Sequence, residues 1–277
     1  MESEIQTRYL FFEEGYGKIK FANSEKERNQ IILCDYRNHL LYNKFLPGFE
    51  EEHYLTAITK NIFIYQGNLI ELKQIDGDYV LNTLASNVIK AVVIPQTKDI
   101  VYIEKGKSNS LNVLTSTGKI KLFASVSINS RLYATIFPNG KRLISQGSIN
   151  YLYDSNWKEI KNQNSWPDFI SAIARFGNQL AVVYDNGDIL ELNDDLNLKK
   201  IASMGKFPGR LNKILFFDKN KLVYSTIPFN EIVIRYDSGK EEERSSERLL
   251  DVTQDGVYLQ VDGLVKFLPN NEIGNYF

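Results

Sequence analysis

The sequence predicts an all-β fold made of repeated four-stranded units. Three observations carry this: apolar or alternating runs only four to eight residues long, turn residues recurring at a spacing near 39 residues, and no apolar 3.6-residue period lasting three turns. The runs include IFIYQ (62–66), IVYIE (100–104), QLAVVY (179–184), KLVYST (221–226) and VYLQV (257–261). Val, Ile, Tyr, Phe and Leu dominate them, which is strand composition, and no helix is expected.

The turns fall into three classes. One precedes an apolar strand, at Asn61, Lys98, Asn139, Asn178, Lys219 and Asp255, with intervals of 36 to 41 residues. A second joins a hydrophobic strand to a more polar one, at Gly48, Gly77, Gly118, Asn156, Asp195, Gly239 and Asn271. A third, at Gly67, Gly106, Gly147, Gly187 and Gly263, supplies the positive φ of tight hairpins. Each unit then reads strand, buried strand, strand, polar outer strand, most clearly over residues 172–203. Four antiparallel strands at a period near 40 make the blade of a β-propeller, since such a unit buries both faces only between neighbours.

Seven hairpins of the second class predict seven blades in a single domain spanning 1–277, at about 16–55, 56–90, 91–133, 134–171, 172–212, 213–249 and 250–277. Six blades are the alternative, because the first unit is irregular and carries the charged insert SEKERN (24–29). The extra run RYLFFEE (8–14) is expected to join the short last blade and close the ring, removing a sheet edge. A pair of β-sandwiches also offers short strands, but does not give a constant spacing.

Period and strand order resemble the WD40-like and related propeller superfamily over essentially the whole chain. The resemblance is architectural: no blade carries a Gly-His or Trp-Asp dipeptide, a kelch-type Gly-Gly pair or the Trp consensus of quinoprotein propellers. It implies a propeller that serves as a binding platform, as most such proteins do, and it transfers no functional residue.

Composition excludes several classes. A hydrophobic fraction of 43% supports a core, so the chain is not disordered. With 33 Lys+Arg against 34 Asp+Glu and no basic run, nothing marks a nucleic-acid surface. No apolar run approaches the roughly 18 residues of a membrane span. The acidic start MESEIQTRYLFFEE and the lone Cys34 point to a cytoplasmic protein, expected to be monomeric.

Catalytic and metal signals are thin. His39 and His53 fit no ligand spacing, and Cys34, within the apolar run IILCDY, reads as a core residue. The stretch DNGDILELNDD (185–195) lacks the spacing of a calcium loop and reads as a tight hairpin followed by a strand. The triplets Glu50–Glu52 and Glu241–Glu243 are placed on outer strands, where charge opposes edge pairing. No cofactor and no metal ligand is expected.

Loops leading from one outer strand to the next inner strand are the strongest candidates: SINSRLYA (127–134), NQNSWPDFISA (162–172) and KFPGRLNK (206–213). They bring Arg131, Tyr133, Trp166, Phe169, Phe207 and Arg210 to one rim, and Trp, Tyr and Arg dominate interface hot spots. The expected function is a non-enzymatic platform binding another protein through this loop face, an immunity- or inhibitor-like binder being one form. The alternative is an enzyme or small-ligand binder with a divalent cation in the central channel, lactonase- or hydrolase-like.

Overall fold

Among the described residues four hairpins share one turn, and its chemistry sets the strand phase. In each, a three-residue loop closes with paired backbone bonds and ends on a left-handed residue. Phe137 pairs with Lys141, Asp154 with Lys158, Asn193 with Asn197, and Tyr236 with Lys240. The left-handed position is Gly140 (φ 85°), Trp157 (φ 63°), Leu196 (φ 66°) and Gly239 (φ 80°) respectively. Trp157 and Leu196 accept the strained conformation because both side chains are buried. In those two turns the first residue also acts as a side-chain clasp. Asp154 Oδ1 accepts the N–H groups of Asn156 (2.8 Å) and Lys158 (2.9 Å). Asn193 Oδ1 does the same for Asp195 (3.0 Å) and Asn197 (2.9 Å).

The computed structural model describes residues 7–12, 15–20, 30–35, 40–45, 56–58, 61–65, 67–76, 78–94, 96–124, 126–147, 149–164, 166, 170–176, 179–206, 211–218, 220–226, 231–252 and 256–277. Their strands fall in six antiparallel sheets, divided between two compact units: residues 1–93 with 99–128, and 94–98 with 129–277.

The first unit holds three sheets of four strands each. They are β1 (Thr7–Phe12), β2 (Gly15–Lys20), β3 (Gln30–Asp35) and β4 (Leu40–Phe45); β5 (Thr56–Ala57), β6 (Ile62–Tyr65), β7 (Asn68–Ile75) and β8 (Asp78–Ala85); and β9 (Val88–Val93), β10 (Ile100–Glu104), β11 (Ser110–Thr115) and β12 (Gly118–Ala124). Ile64, Leu69, Val88, Ile100 and Tyr102 form a core between the second and third.

The second unit holds two four-stranded sheets and one of six. The fourth sheet is β13 (Leu132–Ile136), β14 (Arg142–Gln146), β15 (Ile149–Tyr153) and β16 (Glu159–Asn164); the fifth is β17 (Ile170–Phe176), β18 (Gln179–Tyr184), β19 (Asp188–Leu192) and β20 (Leu198–Ser203). The sixth is β21 (Leu211–Asp218), β22 (Lys221–Thr226), β23 (Glu231–Tyr236), β24 (Glu241–Val252), β25 (Gly256–Val261) and β26 (Leu264–Pro269), followed by helix α1 (Asn270–Tyr276).

Strand β18 shows why the runs are continuously apolar. Leu180, Val182 and Tyr184 pack towards the fourth sheet, with Leu143, Leu152 and Trp166. Ala181 and Val183 pack towards the sixth, with Leu211, Leu222 and Tyr224. Both faces are buried, so alternation disappears. Each such aliphatic side chain contributes about 1.5–3 kcal/mol.

The structure departs from expectation at both ends of the chain. The strand at the start does not join the last sheet: β1 pairs with β2 from Thr7↔Lys20 to Phe12↔Gly15, because a neighbour two residues away costs far less closure entropy than one at the far end of the chain. The expected four-stranded unit is present: the described residues form five four-stranded sheets and one of six strands. Where a break near residue 249 is expected, β24 runs for 12 residues, its register with β23 skipping from Arg244 to Arg248 while Leu249 goes on to pair with Leu259 of β25. Its early residues pair with β23 and its later ones with β25. Finally, Asn271 lies in α1, a helix the apolar period does not announce. Buried Ile273 and Phe277 hold it on the core of the sixth sheet.

Candidate functional site

The start of β13 lies at one edge of the fourth sheet, beside the β14–β15 turn, because Leu132 pairs with Gln146. Gly147 closes that turn at φ 65° and donates its N–H to the Arg131 carbonyl at 3.3 Å. A Cβ there would approach Ser130 Oγ at 2.9 Å, so the turn is packed against the strand entry.

From this edge two side chains reach the fifth sheet. Arg131 Nη1 donates to the Ile170 carbonyl at 2.9 Å and lies 3.5 Å from Asp185 Oδ1. The Tyr133 hydroxyl donates to the Ser171 carbonyl at 2.7 Å, with the Ile170 carbonyl at 3.1 Å. Ser171 in turn donates from Oγ to Asp185, whose carboxylate caps the exit of β18. Arg131, Tyr133, Ile170 and Asp185, together with Asn129, Ser130 and Gly147, border an open cleft of about 280 Å³. Its two charges stand at the rim, the Arg131 side chain 33% and that of Asp185 50% exposed.

Under the cleft runs a polar row. Tyr133, Ser145 and Asn150 are directly opposed across β13, β14 and β15, so they share a face. Ser145 and Asn150 are fully buried, and neither the Ser145 hydroxyl nor the Asn150 amide has a protein partner among the described residues.

The opposite edge of these sheets is tied shut. Lys141 Nζ lies 3.0 Å from Asp194 Oδ2 and 3.8 Å from Asp195 Oδ1, and Lys161 donates to the Asp195 carbonyl at 2.9 Å. Bonding to Lys141 holds the Asp194 carboxyl below the ordinary range. Asp188 is lowered likewise, chiefly by Lys200 at 2.7 Å and then by Ser203. Asp185, Asp188, Asp194 and Asp195 of the 185–195 stretch are thus engaged by Lys, Arg and Ser side chains, and Gly187 (φ 89°) makes the hairpin turn there. Among the described residues no three His, Cys, Asp or Glu side chains stand together as a metal centre. His39, His53 and Glu50–Glu52 lie outside the described residues, whereas Glu241–Glu243 are exposed on β24.

Of the six rim candidates, the structure brings together Arg131 and Tyr133. Trp166 is corrected: it is 6% exposed and packs in the core between the fourth and fifth sheets with Leu152, Ile170 and Tyr184. The apolar area that suggested a contact residue is instead filling the layer between blades. Phe169, Phe207 and Arg210 lie outside the described residues. Sequence reasoning missed Asp185 and Ser171. The turn phase offered a signal, because Asp185 follows a buried strand of the fifth sheet and Arg131 precedes the first strand of the fourth, and the two meet at 3.5 Å.

Comparison with protein-family models gives no match, and comparison with curated proteins gives none. Solved structures do match. A streptogramin B lyase is 10% identical with TM-score 0.59, covering 97% of this chain and 96% of its own. The β-propeller domain of Cps50 (Swd1) from Myceliophteria thermophila is 13% identical with TM-score 0.56, covering 97% and 98%. YCF48 bound to D1 peptide is 10% identical with TM-score 0.54, covering 98% and 94%. At these identities the likeness is one of fold, and by fold the chain is a divergent β-propeller of four-stranded repeats.

Proposed function

We propose that the chain is a cytoplasmic, monomeric, non-enzymatic interaction platform, a single propeller domain over 1–277 that binds a partner protein through the loop edge around Arg131, Tyr133 and Asp185. An immunity- or inhibitor-like binder is one form of this function. One observation carries it: the cleft's functional groups are locked to one another and to main-chain carbonyls, yet keep charge exposed at the rim. Such a preorganised edge suits recognition, because little side-chain entropy is lost on binding. The Ser171 hydroxyl and the Asp185 carboxylate bond to each other within this network, and Asp185 also faces Arg131, so both serve to hold the edge in one arrangement. YCF48, similar in fold, was solved with a peptide bound, which supports a peptide- or protein-binding reading here. Phe169, Phe207 and Arg210 extend the proposed contact along the loops 162–172 and 206–213; Trp166 serves the core.

The test is affinity capture from the native organism with the wild type and Arg131→Glu, both checked for native circular dichroism. A protein retained by the wild type and lost by the folded variant is the expected result. Equal capture by both, or none by either, overturns the reading.

A further inference from the structure

We infer that the Arg131 cleft receives a carboxylate, carried by an Asp or Glu side chain of the partner protein. This rests on the contact surface proposed above and narrows it to a chemistry.

The guanidinium is used from one side only. Both of its contacts, to the Ile170 carbonyl and to Asp185, are made by Nη1. Nε and Nη2 have no partner among the described residues, and together they form the two-donor edge that matches a carboxylate in a bidentate pair. The Ile170 bond fixes the plane of the group in advance, so the ordering cost of such a pair is already met.

Asp185 does not cancel this charge. Its Oδ1 is shared between the Ser171 hydroxyl and Arg131, the ion pair is 3.5 Å long, and its side chain is half exposed, so the attraction is screened. The remaining border, Asn129, Ser130, Tyr133, Gly147 and Ile170, carries no formal charge. Size narrows the occupant further. About 280 Å³ falls just short of the roughly 300–1,000 Å³ usual for a cofactor or drug-sized ligand, and suits a single side chain.

The probes are N-acetyl-glutamate amide, its neutral isostere N-acetyl-glutamine amide, and N-acetyl-lysine amide. The readouts are the Arg131 Nε–Hε and Gly147 N–H resonances of the whole ¹⁵N-labelled chain. The glutamate derivative is expected to give saturable shifts at both positions in the millimolar range, at least about tenfold tighter than the glutamine derivative. Arg131→Gln removes the Gly147 response while leaving the rest of the spectrum native. Asp185→Asn tightens the glutamate derivative about two- to fivefold by removing a competing anion.

Equal shifts from the glutamate and glutamine derivatives, no saturable shift, or selective binding of the lysine derivative would each overturn the inference. The last leaves the platform reading intact with a cationic partner group. Saturable glutamate binding with no captured protein does the reverse.

Discussion

Two glycines on neighbouring turns have opposite roles. Gly187 is buried in the β18–β19 turn at φ 89°, and a Cβ there would sit 1.8 Å from the Gly205 carbonyl oxygen. Gly205 also has positive φ (74°), but open space surrounds its missing Cβ. Gly187→Ala is therefore expected to cost more than about 3 kcal/mol, since backbone must move as well as strain. Gly205→Ala should cost about 1 kcal/mol. Denaturant titration of the two variants checks the ratio, and equal losses would contradict the close approach. The candidate site was only partly legible at this scale. Arg131 and Tyr133 are visible as polar-aromatic residues in a connecting loop. Trp166 has the same composition, but composition does not say which way a ring faces, and this one faces the core.

At the scale of elements, the shared hairpin turn links sequence to acid sensitivity. The backbone N–H of Lys158, then that of Asn156, bonds to Asp154 and lowers its carboxyl. Asp188 and Asp194 are lowered by Lys200 and Lys141. A depressed carboxyl stabilises the fold fully above its ordinary value and loses that contribution as pH falls through the depressed one. The melting temperature should therefore drop below about pH 4. Asp154→Asn should flatten that slope without opening the turn, because Asn193 already plays the same part in the next blade. Melts from pH 2 to 6 test this; a variant as acid-sensitive as the wild type would contradict it.

Strand positions and most turns were readable because Gly, Asn and Asp mark them at a fixed period. Two features were not. The left-handed Trp157 and Leu196 break the glycine rule, their burial offsetting the strain, so the sequence points to Asn156 and Asp195 beside them. Helix α1 has poor intrinsic propensity in NNEIGNY and is held by tertiary packing of Ile273 and Phe277, a long-range cause that local pattern does not carry.

For the whole molecule, the period of about 39 residues is what reveals the propeller, because each unit needs a neighbour on both faces. The count of blades is less well encoded: it depends on whether one strand ends, and β24 continues through the expected break although Ser245 and Ser246 lie within it. Sheet edges also divide the labour. The edge bearing the 137–141 and 193–197 turns is closed by Lys141, Asp194 and Lys161, whereas the edge bearing Asn129 and Arg131 keeps its charges at the surface.

That division defines the most direct measurement: photo-crosslinking in the native cell from a reactive amino acid placed at exposed Asn129, with exposed Asn197 on the opposite edge as control. The platform account expects one discrete crosslinked protein from position 129, absent from position 197 and abolished by Arg131→Glu. Crosslinking from position 197 alone, or the same products from both positions, would contradict it.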